Sequence, residues 1–273
     1  MRRYGKSWAG LRSAFEMKVT KMHGARNDFV IVDRRRGGHV DLARFAKWAC
    51  DRRAAIGADG VIAIESSNVA GARMRTINAD GSEAEMCGNG VRCAARWLDE
   101  AGEGARIIFE TEAGLVSTEI VSRGSEYAVR VAMGSPAITP LPDGWFVDLG
   151  NPHVVLVRSS LDDVDLKSTA EEIQKDWRFT GGTNVHVAAL QDRRSMRVAH
   201  WERGVGLTMA CGTGAVACAA VAIAGGMAAS PIEVFVPGGR LVVEWDGTGN
   251  AYLTGPAVRV FDTEVDFEDE LAP

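Results

Sequence analysis

The chain contains the same short phrase twice, once in each half. Cys87-Gly88-Asn89-Gly90 and Cys211-Gly212-Thr213-Gly214 lie 124 positions apart (211 − 87). With 31 glycines among 273 residues, a given cysteine is followed by Gly-x-Gly about once in a hundred times, and the chain has five cysteines. A repeat of this kind predicts a duplicated, pseudo-symmetric protein in which each half supplies one copy of the phrase.

The length of the chain permits two cores of ordinary size. A sequence of 273 residues that is 46% apolar can bury one large core or two smaller ones, and the repeated phrase favours two. The segment from Gly134 to Pro142 is rich in turn-forming residues and is the natural boundary between the halves.

Short β-branched runs predict many strands, and apolar periodicity predicts few helices. The helical patterns cover 42–49, 91–98 and 215–224. The last two follow the two phrases directly, so Cys87 and Cys211 should both lie at helix N-termini. The predicted strands contain the segments 19–20, 29–32, 61–64, 107–109, 129–131, 154–157, 185–187 and 241–243.

Charge and cysteine usage exclude several classes of protein. The net charge is −5 and the charges are interspersed, so the chain has no basic stripe for nucleic acid. Five cysteines without a Cys-x-x-Cys pair or a secretory signal predict reduced thiols in a cytoplasmic protein. The uncharged stretch from Ala210 to Ala229 is mostly Ala and Gly, which predicts a tightly packed buried helix and no membrane partner.

Two cysteines at helix N-termini suit proton transfer at a carbon atom. The unpaired N–H groups and partial positive charge of a helix start favour thiolate, so a lowered thiol pKa is expected for Cys87 and Cys211. The glycines leave the backbone open to a carboxylate. If two such ends face each other around an amino acid, one thiolate removes the α-proton and the opposite thiol delivers another, which inverts the stereocentre.

Other interpretations of the cysteines stay open at this point. Cys87 and Cys211 could be small buried hydrophobes at tight turns, or a redox pair that alternates between dithiol and disulfide. Zinc is not expected, because the five histidines are scattered along the sequence and unmatched to the cysteines. Cys50, Cys93 and Cys218 fall within apolar helical patterns and are expected in the core.

Several motifs, in this order, resemble those of the diaminopimelate epimerases, which are amino-acid epimerases that use two cysteines and no pyridoxal phosphate. The resemblance runs from Met17 to about Phe261. The matching segments are Lys21-Met22-His23-Gly24 with Asn27-Asp28-Phe29, Gly57-Ala58-Asp59-Gly60, 78–93, Gly150-Asn151-Pro152-His153, Thr183-Asn184-Val185, Glu202-Arg203-Gly204 and 210–214.

The resemblance implies a mixed α/β (α+β) fold of two pseudo-symmetric domains. Each domain would be a curved, mostly antiparallel sheet wrapped around a central helix, with the active site in the cleft between them. By this carry-over, residues 1–16 are an N-terminal extension, for which disorder is one interpretation. The first domain would be 17–133 plus a returning C-terminal strand at 257–265, and the second would be 134–256.

The resemblance also implies roles for individual residues. Cys87 and Cys211 match the acid/base pair, and His153 matches a supporting polar residue beside the cysteines. The substrate-binding set would comprise backbone N–H groups at Gly88, Asn89, Gly212 and Thr213 for the reacting carboxylate, together with Asn27, Asn78, Asn151, Asn184, Glu202 and Arg203.

These residue types fit the implied roles, although simpler interpretations exist for some. Arg203 can grip a distal carboxylate with two hydrogen bonds, but it could equally be part of a surface ion pair. Asn78 and Asn151 could be turn formers only. The chain also departs from the family pattern: Arg26 stands where many members have Gly, Gly60 where some have Gln, and Leu207 where Glu is frequent.

The implied activity is interconversion of LL- and meso-diaminopimelate, which serves lysine and peptidoglycan precursor synthesis. The enzyme would be an isomerase that needs no cofactor or metal, acts on a small-molecule amino acid, and exists as a monomer or a homodimer. The alternatives are a two-cysteine racemase for another amino acid such as histidine or lysine, a catalytically inactive binding module, and a thiol-redox protein.

Overall fold

The computed structural model describes residues 15–35, 37 and 40–267. The first strand begins at Phe15, so residues 1–14 of the expected N-terminal extension lie outside the described residues.

The first half of the chain contributes eight strands and two helices. Helix α1 spans Leu42–Ala49 and helix α2 spans Gly88–Glu100. The strands are β1 (Phe15–Gly24), β2 (Asn27–Asp33), β3 (Gly60–Glu65), β4 (Ala72–Asn78), β5 (Glu83–Ala84), β6 (Arg106–Thr111), β7 (Gly114–Ser122) and β8 (Ala128–Ala132).

The second half repeats this order of elements. Helix α3 spans Leu166–Gln174, a short 3₁₀ helix spans Trp177–Phe179, and helix α4 spans Gly212–Ala224. The strands are β9 (Ala137–Leu141), β10 (Gly144–Asp148), β11 (Pro152–Arg158), β12 (Asn184–Asp192), β13 (Ser195–Glu202), β14 (Gly206–Thr208), β15 (Ile232–Val236), β16 (Gly239–Glu244), β17 (Tyr252–Pro256) and β18 (Val258–Phe267).

Strand pairing shows that the two halves have the same topology. In the first half, β1 pairs with β2, β3 with β4, β6 with β7 and β7 with β8, all antiparallel, while β2–β3 and β4–β6 are parallel. In the second half, β10 to β17 repeat these pairings strand for strand. The duplication inferred from the twin phrases is therefore present in the fold itself.

The edges of the two sheets connect the halves. Strand β18 pairs antiparallel with β1, and β9 occupies the equivalent place beside β10. Strand β17 pairs antiparallel with β8, so hydrogen bonding continues from one sheet to the other. Strand β18, the last described element, is thus held by the first strand.

Each sheet curves around one central helix. Nine of the thirteen residues of α2 and ten of the thirteen of α4 are buried, and both helices belong to one hydrophobic cluster. Helix α4 is apolar on all sides because strands and α2 surround it. Cys93 and Cys218 are fully buried in this cluster and Cys50 lies in a smaller one, which confirms the core role expected for these three.

The remaining two long helices cover the outer faces. Helix α1 lies between the parallel strands β2 and β3, and α3 lies between β11 and β12, because parallel neighbours need a crossover connection. Each packs on its own small core, with Phe45 on one side and Leu166 on the other.

The predicted elements are present at their expected positions. All eight predicted strand segments and three predicted helices are observed. Helix α3 was missed, and so were the strands β4, β5, β7, β9, β10, β13, β14, β15 and β17. The mixed sheet-dominated architecture with two pseudo-symmetric halves is confirmed. The turn-rich segment at 134–142 contains β9, and the boundaries given to the two domains stay predictions. None of the helices in the described part of the chain is long and apolar enough to cross a membrane.

The attachment of β18 gives a first prediction. Phe267 is 6% exposed and packs edge-on against Phe45 at 5.2 Å between ring centroids, and against Trp48 at 5.4 Å. We expect Phe267→Ala to lower the free energy of unfolding by about 3 kcal/mol because it leaves a cavity there. Val260 on the same strand is 53% exposed, so Val260→Ala should change it by less than about 0.5 kcal/mol. Urea denaturation measures both, and equal effects would contradict the prediction.

Candidate active site

Both repeated cysteines are N-cap residues of the central helices. Cys87 has extended backbone angles (φ −129°, ψ 110°) and precedes α2, and Cys211 has nearly the same angles (φ −116°, ψ 113°) and precedes α4. The helices begin at Gly88 and Gly212, earlier than periodicity predicted, so the glycines form the first helical turns. The predicted location of both cysteines at helix N-termini is confirmed.

The two helix starts touch each other through their glycines. A Cβ atom added to Gly88 would lie 3.9 Å from the Cα of Gly212 and 3.2 Å from the Cε of Met133. A Cβ atom added to Gly212 would lie 3.7 Å from the Cα of Gly88. The Asn89 amide also donates to the carbonyl of Ala210 at 3.0 Å. The two phrases therefore form one site.

Asn27 lies beside the first cysteine. Its Oδ1 accepts from the Asn89 amide at 3.1 Å and lies 3.6 Å from the Sγ of Cys87, which donates to it. The Asn27 amide nitrogen donates to Asp59 at 2.8 Å, which fixes the orientation of the side chain. The motif Gly57-Ala58-Asp59-Gly60 did not indicate that Asp59 positions Asn27.

A buried positive charge lies directly behind the first helix start. Arg92 is fully buried in α2, and its guanidinium donates to the Oδ1 of Asn89 at 2.8 Å, to the carbonyl of Gly88 at 3.2 Å and to that of Pro256 at 3.1 Å. Within the described ranges no carboxylate forms a salt bridge with it. Its charge therefore acts on the site, a role that the sequence argument did not assign.

A carboxylate lies beside the second cysteine instead. Burial raises the pKa of Glu202, whereas a hydrogen bond with Cys211 acts in the opposite direction. Cys211 also lies 3.6 Å from the Oγ1 of Thr213 and accepts from the N–H of Gly214 at 3.4 Å. Glu202 and Thr213 thus both lie next to the sulfur of Cys211.

Burial dominates the ionisation of both thiols. It raises the pKa of Cys87 despite backbone N–H groups at Gly90 and Asn89, and it raises that of Cys211 further because the Glu202 carboxylate adds to the effect. The expectation of a lowered thiol pKa is wrong, since it counted the helix N-termini and not the loss of water around the sulfur atoms. Cys211 is only 4% exposed.

Three histidines that are scattered in sequence form a hydrogen-bonded row behind Cys211. The Nδ1 of His153 lies 2.9 Å from the Nε2 of His186, and the Nδ1 of His186 lies 2.9 Å from the Nδ1 of His200. The Nε2 of His153 lies 2.8 Å from the Oδ1 of Asn151. Burial lowers the pKa of His153 and of His200 to about 3, so all three rings are neutral. Zinc was not expected because the histidines are scattered along the sequence and unmatched to the cysteines. That reason was wrong, since His153 and His186 lie next to Cys211.

Gly214 is required by this row of histidines. A Cβ atom at that position would lie 2.4 Å from the Cε1 and 2.6 Å from the Nε2 of His186. The last glycine of the second phrase thus makes room for an imidazole ring, which the phrase alone did not indicate.

Asn184 and Arg203 are tied to each other. The Oδ1 of Asn184 accepts from the backbone N–H of Arg203 at 2.9 Å, and its amide donates to the carbonyl of Pro152 at 3.1 Å. The guanidinium of Arg203 donates to the carbonyl of Gly181 at 3.0 Å. Among the described residues it forms no ion pair with a carboxylate, so its charge stays available for a ligand.

The remaining asparagines have local contacts. Asn151 donates to the Oγ1 of Thr213 at 3.4 Å, which links it to the second cysteine. Asn78 is exposed at the β4–β5 turn and donates to the Oγ of Ser82 at 2.9 Å. The structure thus shows a turn contact for Asn78, and its role in substrate binding stays a prediction.

The departures from the family pattern have visible consequences. Arg26 has φ 65°, a left-handed conformation that favours glycine. A Cβ atom on Gly60 would lie 2.8 Å from the carbonyl of Ile77, so a larger residue there needs a shifted backbone. Leu207 is 67% exposed next to the strand that ends at Glu202.

Two surface pockets lie away from these residues. One of about 360 Å³ is lined by Leu156, Thr169 and Phe179, and another of about 380 Å³ by Ile107, Arg130 and Tyr252. Neither of these two pockets is lined by Cys87 or Cys211.

Comparison with known sequences gives a consistent result. The family model for diaminopimelate epimerase matches residues 19–139 and 145–260. A diaminopimelate epimerase of Caldanaerobacter subterraneus subsp. tengcongensis is 38% identical over 92% of this chain and 100% of its own length. That of Rhizorhabdus wittichii is 40% identical over 92% of this chain and 96% of its own length.

Comparison with solved structures shows the same fold at low identity. A Bacillus anthracis phenazine biosynthesis protein of the PhzF family has a TM-score of 0.74 at 19% identity, covering 92% of this chain and 99% of that one. A hydroxyproline epimerase from Agrobacterium vitis has a TM-score of 0.69 at 15% identity, covering 96% and 95%.

The contact between Gly214 and His186 gives a second prediction. Gly214→Ala should lower the free energy of unfolding by about 1–3 kcal/mol through overpacking. In a His186→Ala background the added methyl group has room, so a double-mutant cycle should show a coupling of at least about 1 kcal/mol. Gly181 has nothing within 4 Å of its Cβ position and is the matched control. Additive effects of the two substitutions would contradict the packing interpretation.

Proposed function

The chain belongs to the diaminopimelate epimerase family, and we propose that it interconverts LL- and meso-diaminopimelate by moving the proton on Cα between Cys87 and Cys211. The observation that carries this proposal is the contact between two helix N-termini, each capped by a cysteine, at Gly88 and Gly212. A single cysteine could not approach both faces of one carbon atom.

The helix starts supply the binding site for the reacting carboxylate. The first N–H groups of a helix have no intrahelical acceptor, and α2 and α4 begin in contact with each other at Gly88 and Gly212. We assign Gly88, Asn89, Gly212 and Thr213 to this cradle. A carboxylate held there places Cα between the two sulfur atoms, and hydrogen bonds to its oxygens stabilise the charge that develops when the α-proton leaves.

The reaction needs one thiolate and one thiol at the same time. The thiolate accepts the α-proton and becomes a thiol, while the opposite thiol gives its proton to the other face of Cα and becomes a thiolate. The reverse reaction exchanges these roles. Glu202 opposes ionisation of both thiols, whereas the positive charge of Arg92 favours the thiolate of Cys87, and we therefore assign the single negative charge of the free enzyme to Cys87.

The unreacting end of the substrate carries a second ammonium and carboxylate. Arg203 offers a guanidinium without an acidic partner in the described chain, and we assign it to the distal carboxylate. Asn27, Asn78, Asn151 and Asn184 complete the substrate-binding set, with His153 orienting Asn151. All five cysteines are free, which fits a reducing compartment such as the cytoplasm.

Proton exchange tests the reaction and the substrate together. In D₂O, reduced protein should exchange and invert the α-position of LL-diaminopimelate, followed by NMR and chiral chromatography, but not that of L-histidine or L-lysine. Cys87→Ala and Cys211→Ala should each lower inversion by about a thousandfold or more, because each removes a proton-transfer group. Cys50→Ala in the core is the control. Activity in either variant would contradict the two-base reaction, and inversion of another amino acid would change the substrate only.

Arg203 gives a prediction about binding. Loss of a charged hydrogen bond costs about 1.5–3 kcal/mol, so Arg203→Ala should raise KM for diaminopimelate by about 10-fold to 100-fold. The turnover number should fall less, since the group lies far from the reacting carbon. Arg203→Lys retains the charge without the two-pronged geometry and should lie between. An unchanged KM would remove Arg203 from the distal site.

The raised thiol pKa values predict an alkaline activity profile. Because both thiols are protonated at neutral pH, the fraction with one thiolate grows as pH rises, and kcat/KM should increase by about tenfold per pH unit before levelling. It should fall again where both thiols ionise. The rate of alkylation by iodoacetamide reports thiolate formation without substrate and should rise in parallel. A profile that is flat from pH 6 upward would show that a thiolate already exists there.

A further inference from the structure

Three groups that can bind a metal ion converge at the start of α4. They are His153 on β11, His186 on β12 and Cys211 at the start of α4. One ligand atom from each lies within 4.8 Å of the other two. Both histidines are 0% exposed and the cysteine is 4% exposed, so water does not compete for these atoms. Two imidazoles and a thiol form a ligand set that is typical of zinc.

The facing nitrogen atoms of the two histidines require something between them. The Nδ1 of His153 and the Nε2 of His186 are 2.9 Å apart and share one proton in a hydrogen bond. Without that proton two lone pairs would point at each other. Both rings are neutral, because burial lowers their pKa, and a neutral ring is the form that binds a metal. A cation can therefore take the place of the shared proton.

The spacing needs little adjustment. Tetrahedral zinc with Zn–N bonds of about 2.0–2.1 Å holds two nitrogen ligands about 3.3 Å apart. The two imidazoles would thus have to separate by about 0.4 Å to admit the ion. A sulfur at about 2.3 Å from the ion lies about 3.5 Å from each nitrogen. The observed ligand atoms lie within 4.8 Å of one another, so the sulfur would have to move by at most about 1.3 Å.

The outer contacts of the histidines are those of a metal site. The other ring nitrogen of His153 donates to the Oδ1 of Asn151, which directs the Nδ1 lone pair inward. The other nitrogen of His186 lies 2.9 Å from the Nδ1 of His200. The Nε2 of His200 is buried with no hydrogen-bond partner. The last two rings can therefore change tautomer together and keep the bond between them.

We propose that His153, His186 and Cys211 form a binding site for a soft divalent cation such as Zn²⁺, and that its occupation inhibits the enzyme. Binding releases the thiol proton to solvent. The proton of His186 moves from Nε2 to Nδ1, and that of His200 moves from Nδ1 to Nε2. The sulfur then holds the metal and cannot exchange a proton with Cα. The inhibition rests on the proposed function, whereas the binding does not.

Cobalt(II) reports the binding without any measurement of activity. Titration of the reduced protein with Co²⁺, in a non-chelating phosphine reductant, should produce the thiolate-to-cobalt charge-transfer band and the intense d–d bands of a tetrahedral site. Zn²⁺ should displace the cobalt and abolish these bands. Absence of a charge-transfer band at saturating Co²⁺ would overturn the proposal.

Single substitutions separate this site from a metal held between the two cysteines. The charge-transfer band should be lost in Cys211→Ala and persist in Cys87→Ala. His186→Gln should weaken Co²⁺ binding by at least about tenfold, because even residues that only orient a ligand contribute about 10-fold to 100-fold. His200→Gln is the matched control of similar burial and should have a smaller effect than His186→Gln. Loss of the band in Cys87→Ala together with full binding in His186→Gln would place the metal between the cysteines and contradict the site.

Inhibition is then measured as a ratio within each variant. Zn²⁺ should inhibit epimerisation by the unsubstituted enzyme reversibly, with recovery on addition of a chelator. The concentration for half inhibition, relative to each variant's own uninhibited rate, should rise at least about tenfold in His186→Gln. Cobalt binding in a protein without epimerase activity would refute the proposed function alone. Full activity with the metal bound would refute the inhibition.

Discussion

The candidate active site depends on the close approach of two helix N-termini, which meet at Gly88 and Gly212. A Cβ atom added to Gly88 would contact the Cα of Gly212, and a Cβ atom added to Gly212 would contact the Cα of Gly88. The side chain of Met133 lies beside both glycines. Two curved sheets hold the helices in this position, since each wraps one helix and the sheets are joined by β8 and β17. The two cysteines are therefore brought together by contact between the backbones of the helix starts.

The symmetry of the fold does not extend to the charges around the two sulfur atoms. Arg92 is buried behind Cys87 and has no counterpart behind Cys211 in the described part of the chain, where α4 contains no charged residue. Cys211 has Glu202 and a row of imidazoles instead. Duplication therefore supplies two equivalently placed thiols, and their surroundings are unequal.

Polar side chains around the site are held by one another more than the sequence indicated. Asp59 orients Asn27, Asn184 holds the backbone of Arg203, and His153 holds Asn151. These bonds fix the orientation of each asparagine amide. The Asp59 carboxylate can pair only with the NH₂ group of Asn27, and the N–H of His153 pairs with the amide oxygen of Asn151. Burial of such groups is tolerated because nearly all are paired. The Nε2 of His200 is one of four buried side-chain atoms of the described residues that have no hydrogen-bond partner.

The sequence by itself determined the duplication, the two cysteines at helix starts and most of the longer elements. These are local properties: a repeated phrase, apolar periodicity and β-branched runs act within a few residues of themselves. Helix α3 and several strands, including the long β7 and β13, were missed because their stability comes from neighbours in the sheet or core and not from a local pattern.

Only the tertiary structure decided the electrostatics of the site. The predicted fall in thiol pKa became a rise, since burial depends on residues from both halves that pack around Cys87 and Cys211. His153, His186 and His200 are far apart in sequence and adjacent in space because β11, β12 and β13 are neighbouring strands. Distance along the chain says nothing about such contacts, whereas strand register fixes them, and with them the chemistry that surrounds the second cysteine.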